Sequence, residues 1–447
     1  MSGSLGCLAE RVSLSLSRRP LRHGRPECWR PAAETTAAVC PSPRRYHALR
    51  GKPIHGVAVI RERVASAYNW FDERTAVRSL VRKGLYEAVP VRGSWFYTLG
   101  SATLILILLQ LITGIFLTML YVPSVTEAWA SLEFLKQHDA FGSIVRGIHL
   151  WSAYVLLFVL GLHMIRTFFS GSYKRPRELN WVTGTGLFVL VLGMAITGAF
   201  LPWDQAAYWT AVVVTNIPAY TPLIGSFVRA LWRGGDFVGP VTLVRTFGIH
   251  VWLIPVILFP LIGAHLALLR KHGEHGSYVN YLGAYRAREG VDVPPAPKQR
   301  PIEPPYPAAP SEEVWAAPLE TEDFYPHQTF KDGIVSAVLV VVVFVLAVAI
   351  GAPLEAIADP STTNYTPVPE WFYLPLDQLL VLVPQQLIGL SLVLPAGGVV
   401  VMLLLPFIDR GPERNPFERP AVMVPGAFAV LFVVILTLLG SGRLFNQ

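Results

Sequence analysis

Apolar positions fall along this chain in long blocks rather than in short alternations. Seven blocks are continuous enough to cross a bilayer: residues 96–121, 148–168, 184–201, 247–269, 334–353, 387–406 and 421–439. About 20 apolar residues in a helix span a hydrocarbon core of about 30 Å. No eighth block exists. Ahead of the first, residues 64–88 interleave Tyr68, Trp70, Phe71, Leu80, Val81 and Leu85 with Arg and Glu, the pattern of a helix lying at a membrane surface. Residues 1–60 are rich in Arg, Pro and Ser and read as a disordered basic extension. A transit-like presequence or an overextended gene start has the same composition. Between the fourth and fifth blocks, residues 291–319 are polar and broken by proline. The expected organisation is a surface helix and four-helix part over 61–275, a cytoplasmic linker over 276–330 and a three-helix part over 331–447. The fold class this predicts is all-α and integral to the membrane, with seven transmembrane helices.

Composition sharpens the reading. Of 447 residues, 52% are hydrophobic and 15% charged, against about 25% charged in soluble domains. The net charge of +7 does not point to nucleic acid, because the basic residues lie in the N-terminal stretch and in loops between apolar blocks. Arg166, Lys174, Arg175 and Arg177 follow the second block; Arg270, Lys271, Arg286, Arg288, Lys298 and Arg300 follow the fourth; Arg410, Arg414 and Arg419 follow the sixth. Residues 351–386 hold no Lys or Arg. The positive-inside rule then predicts a multi-pass protein of the bacterial cytoplasmic membrane, in contact with lipid, with a cytoplasmic N-terminus and residues 351–386 outside. The three cysteines, Cys7, Cys28 and Cys40, lack Cys-x-x-Cys spacing and support neither a disulfide framework nor a thiolate metal site.

Four histidines carry the chemistry. His149 and His163 stand fourteen residues apart in the second block, His250 and His265 fifteen apart in the fourth. At about 100° and 1.5 Å per residue, each pair returns to within about 40–60° of one helix face, some 21–22 Å apart. The two helices run in the same direction, so His149 matches His250 in depth near the outer surface and His163 matches His265 near the inner one. Any one of them alone reads as a satisfied core histidine. Together they form two levels of two imidazoles, suited to two bis-histidine haems, and their separation forbids one tetrahedral zinc. Gly100 and Gly114 in the first block, and Gly184 and Gly198 in the third, repeat the fourteen-residue interval. They leave gaps at both depths where a flat macrocycle can approach, although glycine pairs also serve plain helix packing. Arg146 and Arg166 lie one turn outward from His149 and His163, placed either to pair with haem propionates or to snorkel to the interface.

With these residues the chain resembles cytochrome b of the quinol:cytochrome c (or plastocyanin) oxidoreductases. The resemblance rests also on Tyr-Asn-Trp-Phe-Asp-Glu-Arg (68–74), Arg-Pro-Arg-Glu-Leu-Asn-Trp-Val-Thr-Gly (175–184), Leu-Pro-Trp-Asp-Gln (201–205) and Pro-Glu-Trp-Phe (369–372). The fifteen-residue histidine interval and the missing eighth block resemble the photosynthetic bf-type pair, cytochrome b and its three-helix subunit IV, joined in one polypeptide. The resemblance implies a four-helix di-haem bundle with two b-type haems, a low-potential one on His149 and His250 and a high-potential one on His163 and His265. It also implies quinol and quinone as substrates, a Rieske-type iron–sulfur protein and a c-type cytochrome as partners, and a homodimer. Where the bf-type family carries a haem-attaching cysteine this chain has Thr98, so no cysteine-attached haem is expected there. Phe372 stands where the family commonly has Tyr.

The activity expected is that of the catalytic subunit of a proton-translocating quinol–cytochrome c reductase. Quinol oxidation releases two electrons and two protons, so a proton acceptor is needed at the membrane edge. Glu370, flanked by Pro369 and Trp371, is the candidate base, with Pro367 and Pro369 stiffening its segment. Asp204 and Tyr208 belong to the facing segment, in a chemical or a turn-forming role. Arg270, Lys271 and His272 flank the inner side as proton donors or as simple positive-inside charge. Two other classes compete. A di-haem anchor of a dehydrogenase would not need Pro-Glu-Trp, and a transporter with histidine relays would bind no haem.

Overall fold

The computed structural model describes residues 55–85, 88–90, 95–221, 224–272, 321–362, 364–384, 387–411, 413–414 and 416–442. The three cysteines and the stretch 291–319 lie outside them. Helix α1, His55–Thr75, forms a unit by itself and starts inside the expected tail. The surface segment expected over 64–88 is therefore two helices, α1 and α2 (Val77–Leu85). Ala76 separates them in a left-handed conformation, φ 52°, which L-residues other than Gly, Asn and Asp adopt at a cost.

From Ala76 onward the chain is one compact unit. Strand β1 (Ala88–Pro90) leads through a 3-10 turn (Trp95–Thr98) into α3, Leu99–Thr118. Then follow α4 (Ala128–His138), α5 (Ala140–Phe169), α6 (Glu178–Ala199), α7 (Gln205–Asn216), α8 (Gly225–Arg233), α9 (Pro240–Gly248) and α10 (Ile254–His272). After the linker come β2 (Thr321–Asp323), α11 (Thr329–Ala349), α12 (Leu374–Leu382), α13 (Ile388–Ile408) and α14 (Pro420–Ser441). The expectation of an all-helical chain needs one small correction. β1 and β2 pair antiparallel, Ala88 opposite Asp323 and Pro90 opposite Thr321, so regular structure resumes at Thr321, within the stretch expected as linker.

Among the described residues, six helical segments are long and apolar enough to cross a membrane: Trp95–Thr118, Ala140–Phe169, Glu178–Ala199, Pro240–His272, Phe324–Ala349 and Pro420–Ser441. The block expected over 387–406 is helical as well, within Ile388–Ile408. Helix α5 is the centre of the unit, packed against α3 on one side and α11 on another, while α6 packs against α10 and α13. The buried cluster between them contains Leu106, Leu157, Leu160, Val191, Leu258 and Val343. Most other apolar side chains on these helices face outward, including Ile112, Phe158, Trp252, Val341 and Phe428, as a lipid-facing surface requires.

A buried ion cluster ties the loop after α5 to the loop after α13. Asp409 Oδ1 lies 2.7 Å from Lys174 Nζ, and Oδ2 lies 2.9 Å from Arg419 Nη1, with side-chain exposures of 8%, 5% and 3% for Asp409, Lys174 and Arg419. The Tyr173 hydroxyl donates to the same carboxylate at 2.5 Å, and Arg419 also donates to the carbonyl of Phe169. Desolvation alone raises the Asp409 pKa, but the hydrogen bonds from Lys174, Tyr173 and Arg419 outweigh it and hold the carboxyl below its ordinary value. Asp409→Asn leaves two buried cations without their counter-charge and is expected to cost about 3–5 kcal/mol, read as a lower unfolding midpoint in detergent. Because the folded pKa is depressed, the wild-type contribution is complete above the unfolded value of about 3.9 and is lost as pH falls through the folded value. The unfolding midpoints of the parent and Asp409→Asn chains converge under strong acid.

Candidate functional site

The four histidines meet in two pairs. The ring centroids of His149 on α5 and His250, just before α10, lie 6.4 Å apart with planes inclined at 75°. His163 and His265 face one another at the other end of the same helices, close enough to interact electrostatically. Among the described residues no three His, Cys, Asp or Glu side chains converge as one metal cluster.

The fifteen-residue interval has a structural cause. Ile249–Leu253 is a single π-helical turn, closed by the Ile254 N–H on the Ile249 carbonyl. Pro255 follows and has no N–H to return to Val251, so an ordinary α-turn here would lack that bond and press the proline ring on a carbonyl. The π-turn takes up one extra residue. Fifteen residues then advance the helix as fourteen do on α5, and His250 and His265 line up as His149 and His163 do.

Each imidazole lies against one of the four glycines. A Cβ built on Gly100 meets His163 Cε1 at 3.3 Å, on Gly114 His149 Cε1 at 3.3 Å, on Gly184 His265 Cε1 at 3.1 Å and on Gly198 His250 Cε1 at 2.9 Å. At each of these glycines, expected to leave room at two depths, the nearest group is the edge of an imidazole. Three rings are also held by hydroxyls the sequence reading did not single out. Thr113, Thr183 and Thr197 Oγ1 lie 2.9, 3.0 and 3.0 Å from Nδ1 of His149, His265 and His250. Their own protons go to the carbonyls of Leu109, Asn180 and Gly193. A hydroxyl has one proton to give, so in each contact the ring Nδ1–H is the donor. The Nε2 lone pair of these three histidines is thereby left for a metal.

This donor set fits haem iron. The facing rings of His149 and His250, each with its Nδ1–H given to a threonine, would hold haem iron through Nε2.

The two arginines have protein partners. Arg146 donates to the carbonyls of Ala352 and Pro353 at 3.0 and 2.8 Å, and Arg166 lies over the Tyr97 ring at 3.9 Å. Arg146 thus fastens the segment after α11 to α5, and Trp151 Nε1 adds a bond to the Gly351 carbonyl at 2.8 Å. Asp204 completes the attachment: it caps α7 through the Ala207 N–H and accepts the Glu355 N–H at 3.0 Å. Beside it Trp203 is buried at φ 54°, and its carbonyl accepts from Ala358. Tyr208 stacks edge-on against Trp203. Of the two roles open to Asp204 and Tyr208, these contacts are those of a turn.

The same segment positions Glu370. Its carboxylate accepts the Tyr154 hydroxyl from α5, and its carbonyl accepts the Tyr373 N–H. Burial pushes the Glu370 carboxyl above its ordinary pKa, the Tyr154 bond opposes this, and the charge of Asp204 adds to it. Phe372 packs edge-on against Tyr154 and Trp371, and Trp371 joins the central apolar cluster. The hydroxyl absent at Phe372 is present one residue later, where Tyr373 donates to the Leu192 carbonyl. Pro369 immediately precedes the acid. Tyr154 is visible only in three dimensions, since it is far from Glu370 in sequence.

At the opposite end, Arg270 lies 5.9 Å from the Phe324 ring centre, His272 offers its carbonyl to Arg177, and Lys271 is exposed. A second acid stands there. Asp332 on α11 accepts from Gln328 Nε2 at 2.9 Å and hydrogen-bonds Ser101, the neighbour of Gly100.

Both parts of the chain resemble known proteins. Residues 85–273 match the family model for cytochrome b/b6/petB, and residues 357–445 match that for cytochrome b(C-terminal)/b6/petD. Cytochrome b6 of Synechococcus sp. (strain RCC307) is 39% identical over 209 residues, 47% of this chain and 96% of its own length. Cytochrome b6 of Prochlorococcus marinus (strain MIT 9215) is 39% identical over 212 residues, 47% of this chain and 97% of its own. Among solved structures, a hyperthermophilic respiratory complex III chain superposes with a TM-score of 0.67 at 27% identity, covering 83% of this chain and 91% of that one.

The glycine contacts give a direct test. Gly198→Ala drives a methyl to 2.9 Å from the His250 ring and is expected to destabilise by about 1–3 kcal/mol through overpacking. Gly397→Ala, whose methyl meets nothing within 4 Å, is the control and is expected to be neutral or slightly stabilising in the same unfolding measurement.

Proposed function

The chain belongs to the cytochrome b/b6 family, and from that premise we propose that it is the di-haem subunit of a proton-translocating quinol:cytochrome c oxidoreductase. The observation that carries the proposal is the pair of imidazole levels, with Nδ1 occupied by threonine at three of the four rings. In this reading His149 and His250 hold one b-type haem, His163 and His265 the other, and all seven apolar helices cross the membrane. The Glu370 end faces outward and the N-terminus is cytoplasmic, in a bacterial cytoplasmic membrane. When bound, the two haems supply one-electron stations at two depths, linking quinol oxidation outside to quinone reduction inside.

The chain's own residues perform the proton chemistry. Burial raises the Glu370 pKa, which makes its carboxylate a better base toward the quinol hydroxyl. Tyr154 orients the carboxylate, while Trp371 and Phe372 exclude water beside it. The Arg146 and Asp204 contacts keep the segment rigid. At the opposite end Asp332, with Arg270, Lys271 and His272, supplies protons and charge for quinone reduction. Arg146 and Arg166, already engaged with carbonyls and with Tyr97, contribute positive charge near haem propionates. One electron of each quinol would go to a Rieske-type iron–sulfur protein and then to a c-type cytochrome, and the other would cross between the two histidine levels. These two partners are separate polypeptides, assembled with a homodimer of this chain.

A pyridine haemochrome assay with a redox titration tests the core of the proposal. Two non-covalent b-type haems per chain are expected, and none would refute it. His149→Leu and His250→Leu are each expected to remove the lower-potential haem alone. Glu370→Gln is expected to slow quinol oxidation by about 100-fold or more with both haems retained. Because burial raises the Glu370 pKa and the base must be ionised, turnover of the parent rises with pH through that raised value. Tyr154→Phe removes a bond that lowers the pKa, and so is expected to move that rise to higher pH.

A further inference from the structure

The residue before each of the four glycines is not the same. It is Thr113, Thr183 and Thr197 at three positions and Leu99 at the fourth. The three threonines accept the Nδ1–H of His149, His265 and His250. His163, whose ring lies against Gly100, has only its backbone carbonyl bonded, by Thr167; no hydrogen bond to its ring occurs among the described residues. The Thr98 and Thr103 hydroxyls beside Leu99 donate to the Trp95 and Leu99 carbonyls, and among the described residues neither hydrogen-bonds the His163 ring. The His250 and His265 rings also hydrogen-bond the backbone of Met194 and Asn180, one at each level, so the levels differ in their hydroxyls: two hydroxyl-bonded imidazoles at 149/250 and one at 163/265.

We propose that these threonines are positioning residues that set the order of the two haem potentials, and that the missing fourth hydroxyl at Leu99 is what separates them. The proposal rests on the two-haem reading above. An acceptor on Nδ1–H makes an imidazole a more basic ligand. A more basic axial ligand favours ferric over ferrous iron and lowers the potential, hydrogen bonding around the ligand being one of the protein's levers on haem. With two such bonds at one level and one at the other, electrons run downhill from the 149/250 pair to the 163/265 pair. The geometry also fixes the tautomer: each threonine spends its proton on a carbonyl of its own helix, so it can only accept from the ring. Valine has the same shape without the acceptor, and serine keeps it.

The test is a spectroelectrochemical titration of both haems in the intact complex. Thr113→Val and Thr197→Val are each expected to raise the potential of the 149/250 haem alone, Thr183→Val that of the 163/265 haem alone. Leu99→Thr is expected to lower the 163/265 potential and narrow the gap. Each change is expected to alter the electron partition by up to about tenfold, which is 59 mV for one electron. Thr113→Ser and Thr197→Ser should hold the parent potential, which separates hydrogen bonding from packing even if a valine variant loses its haem. Unmoved potentials in the valine variants with both haems bound, or a Leu99→Thr chain with an unchanged gap, would overturn the proposal. A parent chain without two haems would instead sink the reading on which it rests.

Discussion

The close approach of an imidazole edge to a glycine backbone, made four times, is the constraint from which the rest of the helical unit follows. A ring placed 2.9–3.3 Å from where a Cβ would stand leaves no freedom in the distance between facing helices. Two such contacts on α3 lock it to α5 in register, and two on α6 lock it to the helix carrying His250 and His265. The π-turn before α10 belongs to the same constraint. Without it, fifteen residues would carry the second histidine off the stripe that Gly184 and Gly198 can receive. Gln110 secures the α3–α5 face further, donating to the His149 carbonyl at 2.7 Å and to Ser152 at 2.9 Å. Packing and ligand geometry are thus one requirement, because the gaps that admit the rings also define the depth at which each ring lies.

The segment between α11 and α12 is fastened by different means. It carries no cation of its own, so the bonds come from α4, α5 and α7: Trp129 Nε1 to the Glu355 carbonyl, Arg146 to Ala352 and Pro353, Trp151 to Gly351, and the Asp204 carboxylate to the Glu355 N–H. Nearly all are made to backbone groups. Such bonds satisfy the irregular backbone near an apolar phase and are indifferent to which side chains the segment presents. The segment can therefore be rigid while its side chains remain committed to chemistry.

Much of this was legible in the sequence, for reasons that can be named. Apolar blocks report spans because the bilayer admits little else, and the histidine and glycine intervals report faces because helix periodicity is regular. What was not legible depended on contacts between distant residues or on a local break in that regularity. The π-turn is signalled by Pro255, yet proline alone does not say which kind of kink results. The break at Ala76 has no residue signature, since alanine ordinarily continues a helix. Tyr154 and Glu370 are joined only by the fold. The Thr-Gly pairs at 113–114, 183–184 and 197–198 were readable as a repeat, and their meaning became clear once each hydroxyl was seen to have its proton already spent. The four glycines were singled out for space beside a macrocycle, and the structure places an imidazole edge against each of them.

Two buried acids show how the same physics separates structure from chemistry. Asp409 is surrounded by Lys174, Arg419 and the Tyr173 hydroxyl, and these outweigh its burial and hold it ionised. Such a carboxylate fastens two loops and has no reason to change its charge. Glu370 is also buried, but its hydrogen-bond partner is a neutral hydroxyl and the charge that acts on it, Asp204, has the same sign. Arg146, the cation on the same side, is turned to the Ala352 and Pro353 carbonyls. Nothing compensates the desolvation of Glu370 fully, so its pKa moves up rather than down. A raised pKa suits the base that the proposed function assigns to Glu370. The absence of Lys and Arg over residues 351–386, first a sign of the side of the membrane expected for this segment, also leaves Glu370 without a neighbouring cation of its own segment to lower its pKa.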